Sequence, residues 1–144
     1  MSEQNLKNHV RFVPLYHFFA LPMLILHFGW SIYRWIAAGL TIGGLEWVLT
    51  SAALFFGVLY ARLFALSVQD RVIRLEERLR YERVLPEELG WRAEELTVDQ
   101  FVSLRFAGDE ELPSLVRKVL DERVTERKSI KQLIKNWRPD YLRA

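Results

Sequence analysis

The feature that most limits how this chain can fold is a long stretch without a formal charge. No Asp, Glu, Lys or Arg occurs in the 22 residues from Phe12 to Tyr33. A helix needs about 20 apolar residues to cross the core of a bilayer. A secretory signal peptide would have a shorter apolar region and a small-x-small cleavage site. Here the run ends in Tyr33-Arg34-Trp35, so we expect a membrane helix over about 14–36, kinked at Pro22.

A second apolar run follows after a short connection. It is uncharged from Trp47 to Ala61 and continues beyond Arg62 as far as Leu66. Arg62 lies near one end of the run, from which its side chain can reach lipid headgroups along its own aliphatic stem. The connection, residues 38–44, contains three glycines that can supply a turn. We therefore expect a transmembrane helical hairpin over residues 14–68, with its second helix over about 46–68.

Charge is divided unevenly along the chain. Residues 1–66 hold four basic and two acidic residues, whereas residues 67–144 hold sixteen of each sign. Basic residues precede the first helix and follow the second, and the connection is uncharged, so the positive-inside rule predicts that both termini are cytoplasmic. Residues 1–13 then form a cytoplasmic segment and residues 69–144 a charged cytoplasmic domain. The flanking residues are Lys7, Arg11, Arg71, Arg74, Arg78, Arg80 and Arg83.

Apolar residues just after the second run follow the rhythm of a coiled-coil seam. Val68, Val72, Leu75 and Leu79 are spaced by four, three and four residues. No Gly or Pro occurs between residues 58 and 85, so we expect the second membrane helix to continue to about Leu85. We also expect this seam to contact either another subunit or the helices of residues 98–137, because water is a poor environment for four large aliphatic side chains.

Two acidic side chains beside the seam are each followed by an arginine four residues later. These spacings predict ion pairs between Asp70 and Arg74 and between Glu76 and Arg80. We interpret the acids as members of an ion-paired, solvated helix surface rather than as catalytic acid–base pairs. They are Asp70, Glu76, Glu77 and Glu82.

Further helices are expected towards the C-terminus. Thr97 and Gln100 have the spacing of a capping box that opens a helix through about Phe106. Gly108 is expected to end this helix and Asp109 to cap the next. A last helix is predicted over about residues 128–137. Residues 86–126 carry a net charge of −6 and residues 127–144 a net charge of +5, so we expect the basic tail to pack near the acidic middle. The fold class is all-α.

Four stretches of the chain resemble one family. The chain is similar over nearly its whole length to an uncharacterised bacterial family of two-helix membrane proteins, a domain of unknown function. The resemblance implies a bacterial inner membrane and implies no activity and no functional residues. The stretches are Gln4-Asn5-Leu6-Lys7-Asn8-His9 through Val13-Pro14-Leu15-Tyr16-His17, Gln69–Arg78, Leu104–Ala107 with Asp109–Pro113, and Ile134–Tyr141.

Three polar residues share one face of the first membrane helix. His27, Ser31 and Arg34 are spaced by four and three residues. Either they act as polar contacts between helices, or they line an ion or proton path. His17 and His27 lie about 15 Å apart along the helix and face different directions, so they cannot share a metal within one subunit. We also predict that Arg34 and Glu46, which flank the connection, approach each other as an ion pair.

The last helix is basic with one apolar face. Its residues Lys128, Lys131, Lys135, Trp137 and Arg138 make it a candidate for contact with anionic lipid. The alternatives are a helix packed in the core of the domain with a solvated back, or contact with nucleic acid. The first of these is the simplest interpretation.

The sequence offers no pattern typical of an active site. There is no cysteine, which excludes disulfides, thiolate chemistry and Cys-based zinc sites. No Walker loop, GxGxxG, HExxH or GxSxG pattern occurs. We therefore expect a non-enzymatic membrane protein without cofactor or metal. Its expected partners are the bilayer and further copies of itself, with a protein on the cytoplasmic side as a further candidate, but not nucleic acid. The two function classes are a homo-oligomeric scaffold or interaction module and a small oligomeric channel or transport component.

Overall fold

The computed structural model describes residues 5, 6, 8 and 12–140, and the described part of the chain contains helices and no strands. A π-helical turn, Leu15–Ala20, leads into α1, Leu21–Ala37. The long helix α2 covers Ile42–Val84. Four short helices follow: α3, Glu87–Ala93; α4, Val98–Leu104; α5, Leu112–Asp121; and α6, Arg127–Leu133. The all-α prediction is confirmed.

Two of these helices are long and apolar enough to cross a membrane. They are Leu15–Ala37, formed by the π-helical turn and α1, and α2. This statement rests on length and composition. Neither apolar segment is a buried core helix, since only 0% and 6% of their most apolar windows are buried.

The chain divides into two compact units, one of residues 11–65 and one that includes residues 66–144. Within the first unit, the turn just before Pro22 is π-helical, and the kink expected at Pro22 stays a prediction. Proline has no N–H to donate, and the residue before it, Leu21, donates its N–H to the carbonyl oxygen of Tyr16, five residues back. π-turns of this kind are commonly inserted next to helix irregularities.

The connection between α1 and α2 depends on its glycines, as predicted. Gly39 has φ +76°, a conformation that favours glycine. At Gly44, an added Cβ would lie 2.5 Å from the Trp35 ring, so only glycine lets the indole approach. That indole donates a hydrogen bond to the carbonyl oxygen of Thr41 at 2.9 Å. The connection is thus a defined turn.

In the second unit, one apolar core joins the end of α2 to α3–α6. Its fully buried side chains include Phe101, Leu104, Phe106, Leu112 and Ile130. Pro86 follows α2 and starts α3, as its missing N–H and fixed φ allow. The prediction that α2 continues to about Leu85 is confirmed, because the helix ends at Val84.

The short helices begin and end mostly as expected. The capping box is confirmed: Thr97 Oγ1 accepts from the Gln100 N–H at 3.3 Å, and Gln100 Oε1 accepts from the Thr97 N–H at 2.7 Å. The predicted cap at Asp109 is wrong, because α5 starts at Leu112 after Glu111. The last helix is shorter than predicted. The chain beyond it forms an isolated antiparallel bridge between Ala107 and Trp137.

Candidate interaction surface

The last four turns of α2 have two different faces. One face is buried against the core of the second unit and includes Ile73, Glu77, Arg80 and Tyr81. The other face carries the predicted seam, and its four side chains are 48–61% exposed: Val68, Val72, Leu75 and Leu79. Successive helix residues are about 100° apart, so the centres of the two faces lie roughly 150° apart. The domain therefore packs on one side of α2 and leaves the seam on the other.

The exposure of the seam excludes one of the two contacts expected from the sequence. The alternative in which the seam packs against residues 98–137 is not what the structure shows, because all four side chains remain about half exposed or more. The alternative in which they contact another subunit stays a prediction. Sequence rhythm identified the apolar face correctly but not the face that the domain covers.

An ion network around the buried Arg80 and Glu77 fastens α2 to the turn between α4 and α5. The Arg80 guanidinium donates to Asp109 Oδ1 at 2.5 and 2.8 Å and to the Ala107 carbonyl oxygen at 2.6 Å. It also pairs with Glu77 at 3.1 Å, where both side chains are only 6% exposed. Charge-assisted hydrogen bonds of this kind are stronger than neutral ones. Asp109, predicted as a helix cap, is instead a partner of Arg80.

The ion pairs predicted at four-residue spacings are replaced by pairs with other partners. Within the part of the chain that the structure describes, Asp70 pairs with Arg127 of α6 at 2.9 Å rather than with Arg74. Arg80 pairs with Glu77 and Asp109 rather than with Glu76. The interpretation of Glu77 as part of a solvated surface is therefore wrong. Local spacing could not reveal this, because burial of Glu77 depends on residues about 30 positions away.

Further arginines surround the network. Arg105 pairs with Asp140 at 3.0 Å, and Arg138 approaches Glu77 at 3.6 Å. These groups border a pocket of about 530 Å³ whose wall holds both signs of charge. Five charged side chains of the wall pair with one another, as in a structural clamp: Glu77, Arg80, Arg105, Arg138 and Asp140. Among the described residues, no group of three or more His, Asp or Glu side chains could hold a metal ion.

The environment shifts the pKa of three groups around the Arg80 network. Burial raises the pKa of the Glu77 carboxyl, although the nearby Arg80 and Arg138 partly oppose that effect. The hydrogen bond from Arg80 lowers the pKa of Asp109. Burial, reinforced by the charge of Glu77, raises the pKa of the Tyr81 hydroxyl. Tyr81 stacks on Phe101 with 5.2 Å between ring centroids, and its hydroxyl has no hydrogen-bond partner among the described residues.

The polar residues of the first unit are not gathered into one site. Ser31 Oγ lies 2.7 Å from Ser51 Oγ of α2, and both serines are buried. His27 and Arg34 are exposed. Ser31 thus makes the interhelical contact expected of a polar residue that holds two helices together.

The predicted approach of Arg34 and Glu46 stays a prediction. Both side chains are exposed. Within residues 12–140, the ion pairs closer than 4 Å do not include this one.

The basic last helix packs into the core of its unit. Ile130 and Ile134 are 0% and 6% exposed, and the Trp137 ring lies 4.9 Å from that of Phe106. Lys131 Nζ lies 5.4 Å from the centroid of the Phe106 ring on which Trp137 packs. Lys128, Lys135 and Arg138 are exposed. Of the alternatives for the last helix, packing in the core fits Trp137, because its ring packs against the ring of Phe106.

The basic tail also contacts the acidic middle of the chain, since Arg127 donates a hydrogen bond to Asp99 at 2.6 Å.

These features define an all-helical protein with two helices that are long and apolar enough to cross a membrane. The comparison with protein families assigns it further: the chain belongs to DUF6526, a family of unknown function, which matches residues 1–144. This confirms the family resemblance expected from the sequence. No curated protein and no solved structure matches the chain.

Proposed function

We propose that this protein is a non-enzymatic, homo-oligomeric scaffold or interaction module of the bacterial inner membrane. Residues 14–68 form a transmembrane hairpin, both termini are cytoplasmic, and residues 69–144 form the cytoplasmic interaction domain. The observation that carries the proposal is the contrast between the two units. One exposes large apolar side chains along both of its helical segments, and the other encloses an apolar core and leaves most of its charged side chains exposed.

The exposed side chains of the first unit favour lipid as their surroundings. Leu15, Phe18, Leu26, Trp47 and Phe64 are each more than 60% exposed. A water-soluble protein rarely exposes a contiguous apolar surface of this extent. Lipid tails are a favourable environment for such side chains, and a helix can cross a membrane because it bonds its backbone groups within its own segment.

The scaffold is better supported than the channel alternative. A channel requires polar groups that converge on a wet axis. Ser31, the central member of the predicted polar face, bonds instead to Ser51 and to the carbonyl oxygen of Phe28 at 2.7 Å. The second unit offers paired charges and an exposed apolar seam, which suit association rather than conduction.

Alkaline carbonate extraction of bacterial membranes tests the proposal. The full chain should stay in the lipid pellet, whereas a peripheral protein would be released. Leu26→Asp combined with Leu54→Asp should lower the inserted fraction, because an acid near the centre of a membrane helix costs about 2.5–3.5 kcal/mol. Leu75→Asp is the matched control on the same long helix outside the proposed span. Release of the unaltered chain by carbonate would contradict the proposal.

A further inference from the structure

The exposed seam of α2 is an apolar surface that the domain leaves uncovered. Its members Val68, Val72, Leu75 and Leu79 occupy alternating d and a positions of a heptad repeat. The buried face of the helix lies roughly 150° away. No element of residues 66–140 therefore has to move for another helix to lie along the seam.

The same spacing continues upstream in the sequence. Counting back by three and four residues from Val68 gives apolar residues at every step: Ala65, Ala61, Val58 and Leu54. The repeat therefore covers eight positions on one continuous helix. Two of the upstream residues are alanines, and small residues allow helices within a membrane to approach closely.

Charges beside the seam select the partner and its direction. Arg71 occupies a g position and Glu76 the e position five residues later, and both are exposed. In a parallel pair of identical helices, a g residue lies beside the e residue of the next heptad in the partner. Arg71 of each copy then faces Glu76 of the other. In an antiparallel pair, g residues face each other, which would place arginine against arginine.

We propose that the α2 seam docks on the same seam of a second copy of this chain, as a parallel, in-register helix pair aligned by Arg71 of one copy and Glu76 of the other. The inference rests on the proposed membrane scaffold, because two copies in one membrane with the same orientation present their α2 helices in parallel. The repeat ends where Glu82 takes the d position after Leu79. Arg78 and Arg83 occupy the next g and e positions at this end of the pair, so their like charges oppose pairing beyond Leu79.

Cysteine crosslinking in membranes tests the pairing directly, since the chain has no cysteine of its own. Val72→Cys and Leu79→Cys, studied as separate variants of the full chain, should each form a disulfide-linked dimer under mild oxidation. Ser67→Cys is the matched control, because Ser67 is exposed but occupies a c position away from the seam. Its dimer yield should be several-fold lower. Equal yields at Ser67 and Val72 would overturn the proposal.

Charge reversal tests the register. Arg71→Glu should weaken dimerisation roughly fivefold, because both symmetry-related pairs become like-charged. Glu76→Arg should act similarly, and the double reversal should restore the original affinity. Failure of the double variant to recover would overturn the Arg71–Glu76 alignment. Carbonate extraction of the Val72→Cys and Leu79→Cys variants separates this inference from the membrane proposal. If these two variants stay in the pellet without crosslinking, the helix pair alone is contradicted, whereas their release would contradict membrane insertion.

Discussion

Arg80 donates a hydrogen bond from its guanidinium to the carbonyl oxygen of Ala107 at 2.6 Å, across 27 positions of sequence. The bond ties the end of the long helix α2 to the turn that precedes α5. The other polar contacts from α2 to the domain, such as Asp70 with Arg127, have partners that are more exposed. With the Arg80–Ala107 bond, the position of the domain around the last turns of α2 is fixed by a directional, buried contact.

Replacement of Arg80 should therefore destabilise the domain strongly. Arg80→Met leaves Glu77 buried without its nearest charged partner, so we expect a loss of about 3–5 kcal/mol in the free energy of unfolding. Arg78→Met is the control, because Arg78 is exposed and should change stability by no more than about 0.5 kcal/mol. Chemical unfolding of the detergent-solubilised full chain, followed by circular dichroism, measures both. Equal stability of the two variants would show that the network contributes little.

The capping box predicts a smaller and more local effect. Thr97→Ala removes the side-chain oxygen that accepts from the Gln100 N–H, which should cost about 1 kcal/mol. Thr125→Ala is a suitable control, since Thr125 is exposed outside a helix. Hydrogen exchange should report faster opening of α4 in the first variant only. Unchanged protection of α4 amides would contradict the assigned role.

The parts of the fold that the sequence predicted are those fixed by local chemistry. Pro86, the Thr97–Gln100 box and the absence of Gly or Pro from residues 58–85 act within a few residues of the feature that they determine. The apolar seam was also visible as a spacing. The sequence did not show whether the domain covers this seam, because the domain packs instead on a face that includes the charged Glu77 and Arg80. Their burial depends on Asp109 and Ala107, which are brought near only by the folded chain.

Because of Tyr81, the free energy of unfolding of the domain should decrease at alkaline pH. The folded pKa of its hydroxyl is raised by burial, while the unfolded value is about 10. Below that value the hydroxyl is neutral in both states and contributes no pH dependence. Above it only the unfolded chain loses the proton, so the free energy of unfolding decreases as pH rises.

The variant Tyr81→Phe removes this ionisation and should flatten stability above about pH 10. At neutral pH it should cost little, because the hydroxyl has no partner among the described residues and the ring stacking is kept. Tyr60→Phe, at an exposed position, is the control and should leave the alkaline decrease in place. Thermal unfolding as a function of pH makes the comparison. A marked loss of stability for Tyr81→Phe at neutral pH would contradict this account.

The serine contact between α1 and α2 should be weak but specific. Ser31→Ala and Ser51→Ala each remove one side of the 2.7 Å hydrogen bond. In a double-mutant cycle, we expect a coupling of about 0.6 kcal/mol, the average for such contacts in membrane helices. Thr50→Ala in place of Ser51→Ala provides the uncoupled control, since Thr50 is exposed. Additive effects of the two serine variants would show that the bond does not hold the helices together.

The measurement that tests the central claim most directly is a topology map with paired reporters. Reporters active only in the cytosol and reporters active only in the periplasm are fused at Ser2, at Ala144 and within the connection after Leu40. The positive flanks of both helices predict cytosolic activity at the two ends and periplasmic activity at Leu40. Cytosolic activity at all three positions would contradict membrane crossing, and periplasmic activity at either end would contradict the orientation.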